Sequence, residues 1–471
     1  MSHRILCAAG ALVLGLSAVP GLAAVSAAEA AKLGKELTPV GAIRAANASG
    51  TIPEYTGEKN FPEETKKFTR AKLEQMRKAD PDKLEAQFRG TLSEDMLKPV
   101  FEINKANMAK YADKLTEGHK AMLQKYPTYK MQVFKSVRTA FWPKEIEDAT
   151  IKNATTARLE GTDSVKDAKL GFPFPIPKSG AEVIWNHKLK FRGSAATRFN
   201  NQAIVRSDGS YIITKITEDV KFKYANLKEP GDSNTQKLIA YYLQEVLSPP
   251  RVAGQITLVH ETADQSSGGR AAWIFSPGLA RVNRAPEVGY DNPSIGTDNE
   301  QYNDQIDVFN GALDRYTWKL VGRKEIFIPY NSYQINSPKV KYKDILKPHH
   351  VNTELTRFEL HRVWVVDATL KPGTRHNFAR RTFYVDEDSW SIAAVDCYDG
   401  RGTLWKLQEA HLLTAPFIPT TTGIPEVIVD LQANRYFVTA LSNEDAITNF
   451  EANFPDSYFD PSNLKRKARS R

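Results

Sequence analysis

Residues 361–406, HRVWVVDATLKPGTRHNFARRTFYVDEDSWSIAAVDCYDGRGTLWK, decide the fold because they hold three strand-turn-strand steps in succession. HRVWVVDATL and RRTFYV are rich in β-branched and aromatic residues. They flank Lys371-Pro372-Gly373-Thr374, so the spacing predicts a hairpin running from Val363 to Phe378. Asp386-Glu387-Asp388-Ser389 then joins RRTFYV to WSIAAV. Asp399-Gly400 joins SIAAVDCY to TLWKLQE, and an Asp-Gly pair tolerates the positive φ of a tight hairpin turn. A run of this kind is an antiparallel meander.

The same texture extends outward from Phe199 to about Asn443, with turn residues every ten or so positions. Asp208-Gly209 separates QAIVR from SYIITKI, and further strands are expected at 252–260, 270–276, 318–328, 358–369 and 425–440. Many of these segments place large apolar side chains on one face and small or polar ones on the other, which suits a curved sheet with a covered concave side. Seven Trp, eighteen Tyr and twenty-two Phe are enough to line such a surface, although aromatics fill any large β core equally well. Asn283 to Asp314, punctuated by Pro286, Gly289, Pro293, Gly296 and Gly311, reads as a long irregular loop crossing the sheet. Loops of that length are usually functional or disordered.

The segments ahead of the sheet have a different character. Residues 38–57 form a loop-like lead-in, and helical signals dominate from about Glu63 to Pro127. Asn104 is placed to cap a segment carrying Met108, Tyr111 and Leu115, and Thr116 to cap one carrying Met122, Leu123 and Tyr126. The prolines of Phe172-Pro173-Phe174-Pro175-Ile176-Pro177 demand extended chain outside a central sheet. Ser179 and Glu182 have capping-box spacing, which predicts a helix at about 180–190 with Ile184, Trp185 and Leu189 on its apolar side.

The chain starts with basic Arg4, an apolar run from Ile5 to Val19, Pro20-Gly21 and then small residues, the order of a cleavable export signal. Val25 and Ala27 suit the −3 and −1 positions, so cleavage is expected after Ala27, give or take a residue. Cys7 stands at the start of the apolar stretch rather than its end, which argues against lipidation. Once the signal is removed only Cys397 remains, so no internal disulfide can form. Of the formal charge of +9, five positive charges lie in the tail at Lys465, Arg466, Lys467, Arg469 and Arg471. Basic and acidic residues interleave elsewhere, so a nucleic-acid partner is not expected. The tail reads as a solvated, disordered extension, with contact to anionic lipid as the sharper alternative.

No nucleophile elbow, phosphate loop or dinucleotide fingerprint occurs. His260-Glu261 begins like a zinc motif, but Asp264 occupies the second ligand position. His349-His350 is a loop pair, and His361 and His376 flank the 363–378 hairpin, where they are more often structural. Asp386 and Asp388 are adequately explained by their turn. No catalytic residue, metal or cofactor is therefore expected.

Five stretches, TPVGAIRAANASGTIPEYTG (38–57), NKANMAKYADKLTEGHKAMLQKYP (104–127), FPFPIPKSGAEVIWNHKLKFRG (172–193), DVFNGALDRYTWKLVGRKEIFIPYN (307–331) and the meander at 361–406, together resemble the bacterial domain of unknown function 1329 family. The resemblance implies a fold similar to that of the LolA/LolB carriers: α+β and mainly β, with a large curved antiparallel sheet as a half-open barrel and short N-terminal lid helices. It also implies periplasmic handling of a lipid or another hydrophobic small molecule, alongside outer-membrane barrels or RND-type exporters. A scaffold of an envelope transport complex and an uncharacterised hydrolase are the alternatives. The expected organisation is a signal at 1–27, an extended and helical segment at 28–170, the β domain at 171–455 and the basic tail at 456–471. Expected lining residues are Trp185, Trp273, Phe275, Trp318, Phe327, Trp364, Val366, Phe383 and Trp390.

Overall fold

The meander read from residues 361–406 forms strand by strand in the computed structural model, which describes residues 24–264, 269–285 and 290–469. Most of the expected export signal lies outside them. Among the described residues the strands are β1 Phe101–Ile103, β2 Met131–Val133, β3 Arg158–Glu160, β4 Ser164–Lys166, β5 Ala195–Phe199, β6 Asn201–Val205, β7 Tyr211–Phe222, β8 Leu238–Ser248 and β9 Ile256–Thr262. They continue with β10 Ala271–Ser276, β11 Arg281–Arg284, β12 Tyr316–Pro329, β13 Phe358–Leu370, β14 Arg380–Asp386, β15 Ile392–Tyr398, β16 Leu404–Ala415, β17 Thr420–Asp430 and β18 Arg435–Leu441. The helices are α1 Ala27–Ala30, α2 Arg70–Ala79, α3 Pro81–Arg89, α4 Glu117–Lys125, α5 Lys144–Thr156, α6 Gly180–Leu189, α7 Tyr342–Ile345 and α8 Leu464–Arg469.

Apart from the small β3–β4 pair, these strands join one sheet in the order β1-β2-β13-β14-β15-β16-β17-β18-β6-β7-β8-β9-β10-β11, with β12 added beside β13 and β5 beside β7. Neighbours are antiparallel except for a single parallel pairing of Phe358 with Val133. The two ends of the path do not meet, so the sheet is open. The stretch expected as one strand at 425–440 is a hairpin of β17 and β18, turned where Asn434 adopts a φ of 57°. Thr420 and Ile424 of β17 line the same cavity as Ile274 of β10, although five strands separate β17 from β10. At ~4.8 Å per strand a flat sheet would hold them about 30 Å apart, so the sheet must curl.

The β12–β17 half is packed on both faces. On one side α4, capped by Thr116, brings Met122 and Leu123 against Leu407, Val427 and Tyr436. On the other side lies α6, capped by Ser179 and buried at all ten positions rather than along one apolar stripe. Its polar residues therefore need internal partners. Asn186 exchanges two hydrogen bonds with the Phe174 backbone, at 2.9 and 2.8 Å. Gly180 permits the close approach to the sheet, since a Cβ there would lie 2.7 Å from Val366 Cγ1.

The two flanking segments are built into this body. β1 and β2 extend the sheet, and Arg138 forks onto Asp388 with bonds of 2.8 and 2.7 Å, all of it buried. The C-terminal segment is not a disordered extension over its described length. Phe459 and Leu464 are buried against β8–β10, and Lys467 bonds Asp219. The apolar residues just before and within the basic run explain this docking, because they cover a sheet face that would otherwise be exposed.

Candidate functional site: a lidded cavity

The half of the sheet built from β5–β10 and β17–β18 is not filled. One of its faces bounds a cavity of about 450 Å³. Strand periodicity decides which side chains reach it. Ala240, Tyr242 and Gln244 of β8, Thr257, Val259 and Glu261 of β9, and Ile274 of β10 point inward. The intervening Tyr241, Leu243, Ile256, Leu258, Trp273 and Phe275 pack on the opposite face, beneath Phe459 and Leu464.

The cover is the long irregular loop, and α2–α5 contribute nothing to the lining. Residues from Asn292 to Asn310, including Ile295, Ile306 and Phe309, close the cavity. The loop is held by polar contacts. Asp304 is buried between Arg381 at 2.7 Å and His376 at 3.0 Å, and despite burial the Arg381 charge and the hydrogen bonds from both partners lower its pKa to about 2. Gln305 and Gln408 bond one another reciprocally, at 3.1 and 2.9 Å. Val308 N–H donates to Glu426 at 3.0 Å, and Asp307 accepts from Arg192.

One wall is strongly cationic. Lys188, Arg192, Arg198 and Arg270 line the cavity, with Lys190 behind them. Arg198 bonds Glu218 at 2.7 Å, and Arg270 bonds Glu261 at 2.7 Å. His187 is buried, with Nδ1 accepting from Ile392 N–H at 3.1 Å and Nε2 donating to Asp307 O at 2.8 Å. Burial and Lys190 keep this imidazole neutral by pushing its pKa well down.

None of the nine residues expected from the sequence lines this cavity. Trp185, Trp318, Trp364, Val366, Phe383 and Trp390 belong to the filled core around α6 and β12–β15. There Trp318 packs against Phe383 with ring centres 5.6 Å apart, and Trp364 stacks on Trp390 at 6.3 Å. Phe327 sits in the core of the α4 face, and Trp273 and Phe275 lie on the far side of β10. Aromatic content signals core here, and the cavity takes the smaller and more polar face. Lys188 at the end of α6 and Arg192 just beyond it read only as a basic stretch, and β10, apolar on both faces, gave no sign that Ile274 faces the cavity.

The histidines do not converge either. His260 bonds Phe459 O at 2.9 Å, His361 bonds Glu359 at 3.2 Å, His376 bonds Asp304, and His350 bonds Thr128 at 2.8 Å. Among the described residues only His361, Asp386 and Asp388 bring ligand atoms close enough for a metal ion. Both oxygens of Asp388 are taken by Arg138, and Arg138, Arg323, Arg357 and Arg362 match Glu359, Asp386, Glu387 and Asp388 in number. With both Asp388 oxygens held by Arg138, only His361 and Asp386 are left to ligate, too few for a metal site, so the group does not fit one. Its evident work is to tie the 138 segment and the 386–389 turn to the sheet.

The chain is thus of the class built on an open, curled antiparallel sheet with a loop-covered cavity on one face. The chain belongs to the family described as "Protein of unknown function (DUF1329)", whose model matches residues 102–465. A relative in Pseudomonas aeruginosa, the uncharacterized protein PA3922, is 42% identical over 469 residues and covers 98% of each chain. Among solved structures, the chain is similar to a DUF1329 family protein from Desulfovibrio piger, with a TM-score of 0.43 and 16% identity over 60% of this chain and 97% of that one. It is also similar to a putative outer membrane lipoprotein-sorting protein domain from Vibrio parahaemolyticus, with a TM-score of 0.43 and 13% identity over 61% and 99%.

Proposed function

We propose that this chain is a binding or carrier protein of the periplasm that holds a lipid or another hydrophobic small molecule under the 292–310 loop. The observation that carries this reading is the unfilled cavity of about 450 Å³ beside a sheet half that is packed on both faces. Its size falls within the roughly 300–1,000 Å³ of small-molecule sites. Each methylene buried from water contributes about 0.8 kcal/mol, less the cost of ordering the ligand. The signal-like opening of the sequence supports an address outside the cytoplasm. Among the described residues no helix is long and apolar enough to cross a membrane.

Solvent extraction of the natively purified protein, followed by mass spectrometry, should release a stoichiometric amphiphile. A fluorescent acyl probe should bind the emptied protein. Ile274→Trp, which fills the cavity from β10, should weaken that binding at least ten-fold, whereas Trp273→Ala, on the opposite face, should leave it unchanged. Equal effects of the two substitutions, or no uptake at all, would refute the assignment.

A further inference from the structure

Lys188 stands apart from the other cations of the cavity wall. It is 3% exposed, lines the cavity and donates to Gly311 O, with its Nζ 4.9 Å from the Trp185 ring. Among the described residues no carboxylate oxygen comes within ion-pair distance of it. Arg192, Arg198 and Arg270 each have a carboxylate partner, namely Asp307, Glu218 and Glu261. An isolated buried ammonium is costly unless something compensates it, and burial lowers the Lys188 pKa to about 8. The wall as a whole carries a positive excess. Lys188, Arg192, Arg198 and Arg270 face Glu218, Glu261 and Asp307, while burial lowers the Lys190 pKa to about 7 and, with Asp307, drives that of Glu426 to about 8, so that this second pair adds no net negative charge at neutral pH. Beside these charges the lining is apolar, through Val220, Phe222, Val259, Ile274 and Phe309, with the Phe222 ring 5.7 Å from the Arg192 guanidinium.

We infer that the ligand is an amphiphile with an anionic head, and that Lys188 receives the head while the chain lies along the apolar strands. The inference rests on the carrier reading above and narrows its ligand class. A carboxylate or a phosphate would supply the counter-charge that no carboxylate among the described residues gives Lys188, and charge-assisted bonds of this type are the stronger ones.

The test uses the full mature chain, stripped of lipid, with three sixteen-carbon probes: hexadecanoate, hexadecyl phosphate and hexadecanol. At pH 7 the wild type should bind at least one anionic probe ten-fold or more tightly than the alcohol. Whichever anion binds better identifies a carboxylate or a phosphate head. Lys188→Met keeps the apolar stem of the side chain. It should bring the preferred anion down to the level of the alcohol while leaving alcohol binding intact, which also shows that the variant is folded. If the wild type binds acid and alcohol alike, or if Lys188→Met keeps the preference, the head-group inference fails and the carrier reading stands. If none of the three binds, both fail together.

Discussion

Glu426 is placed where the sheet, the lid and the cations behind α6 meet. Its carboxyl accepts from Val308 N–H of the lid, and burial with Asp307 nearby raises its pKa to about 8. In the unfolded chain a glutamate titrates near ~4.3. Between those values the folded state holds a proton that the unfolded state has released, so stability falls as pH rises through that window. The lysines act in the opposite sense. Lys190 and Lys188 are lowered to about 7 and about 8, so their contribution to stability rises with pH only above about 7. From pH 5 to 7 the carboxyl therefore dominates the cavity's share. Glu426→Gln keeps the acceptor for Val308, and the variant should show a flatter decline in stability over that range. The difference in slope should approach one proton, or about 1.4 kcal/mol per pH unit. Denaturant melts of the two proteins at pH 5, 6 and 7 measure it, and comparing them cancels Glu147, Asp386 and Glu387, whose pKa values are also raised. Parallel declines would show that Glu426 is ionised in the native state. Nothing at residue level in the sequence announced this proton, because Asp307 and Glu426 are 119 positions apart and meet only through the lid.

At the scale of elements, the strands β6, β7 and β12–β16 and their Asp-Gly and Asp-Glu-Asp-Ser turns were legible from local chemistry, as was α6 from Ser179 and Glu182. The face each strand presents was not. Along β10 the sequence Ala271-Ala272-Trp273-Ile274-Phe275 is apolar on both sides, so alternation could not tell cavity from covered face, and the larger aromatics suggested the wrong one. The C-terminal segment settles it. Tyr241 stacks on Phe459 at 5.2 Å, and His260 is edge-on to Trp273 at 4.7 Å and bonded to Phe459 O. Phe459→Ala removes the ring at the centre of this contact, and at 1% exposure it should cost about 3 kcal/mol. Differential scanning calorimetry would register this as a lower melting temperature, with acyl-probe affinity kept because the cavity is on the other face. A variant as stable as wild type would show that the segment is detached in solution.

For the whole molecule, the boundary between the proposed export signal and the folded body is open to a direct measurement. The small-residue rule applied to Val25 and Ala27 places cleavage after Ala27. The fold, however, uses Val25 and Ser26, which that cut would remove. Val25 N–H donates to Ala154 O at 3.2 Å, and its side chain packs with Leu33 and Ala154. Ser26 caps α1, accepting from Glu29 N–H at 3.2 Å while the Glu29 carboxylate accepts from Ser26 N–H at 2.9 Å. Cutting after Ala27 would remove this capping box and the Val25 contact together, and would leave a charged amino group inside the helical turn, where the macrodipole disfavours a cation. Cleavage between Ala23 and Ala24 also satisfies the rule, with Gly21 at −3 and Ala23 at −1, and it spares every one of these contacts. The mature protein should therefore begin at Ala24. Intact-mass measurement on protein recovered from the periplasm distinguishes this start from one at Ala28 by the mass of four residues. A start at Ala28 would mean that Val25 and Ser26 do not belong to the working fold, and substituting Ser26 in protein begun at Ala24 would then leave its stability unchanged. If the start is Ala24, Ser26→Ala should instead cost about 1 kcal/mol, the usual value of a helix cap.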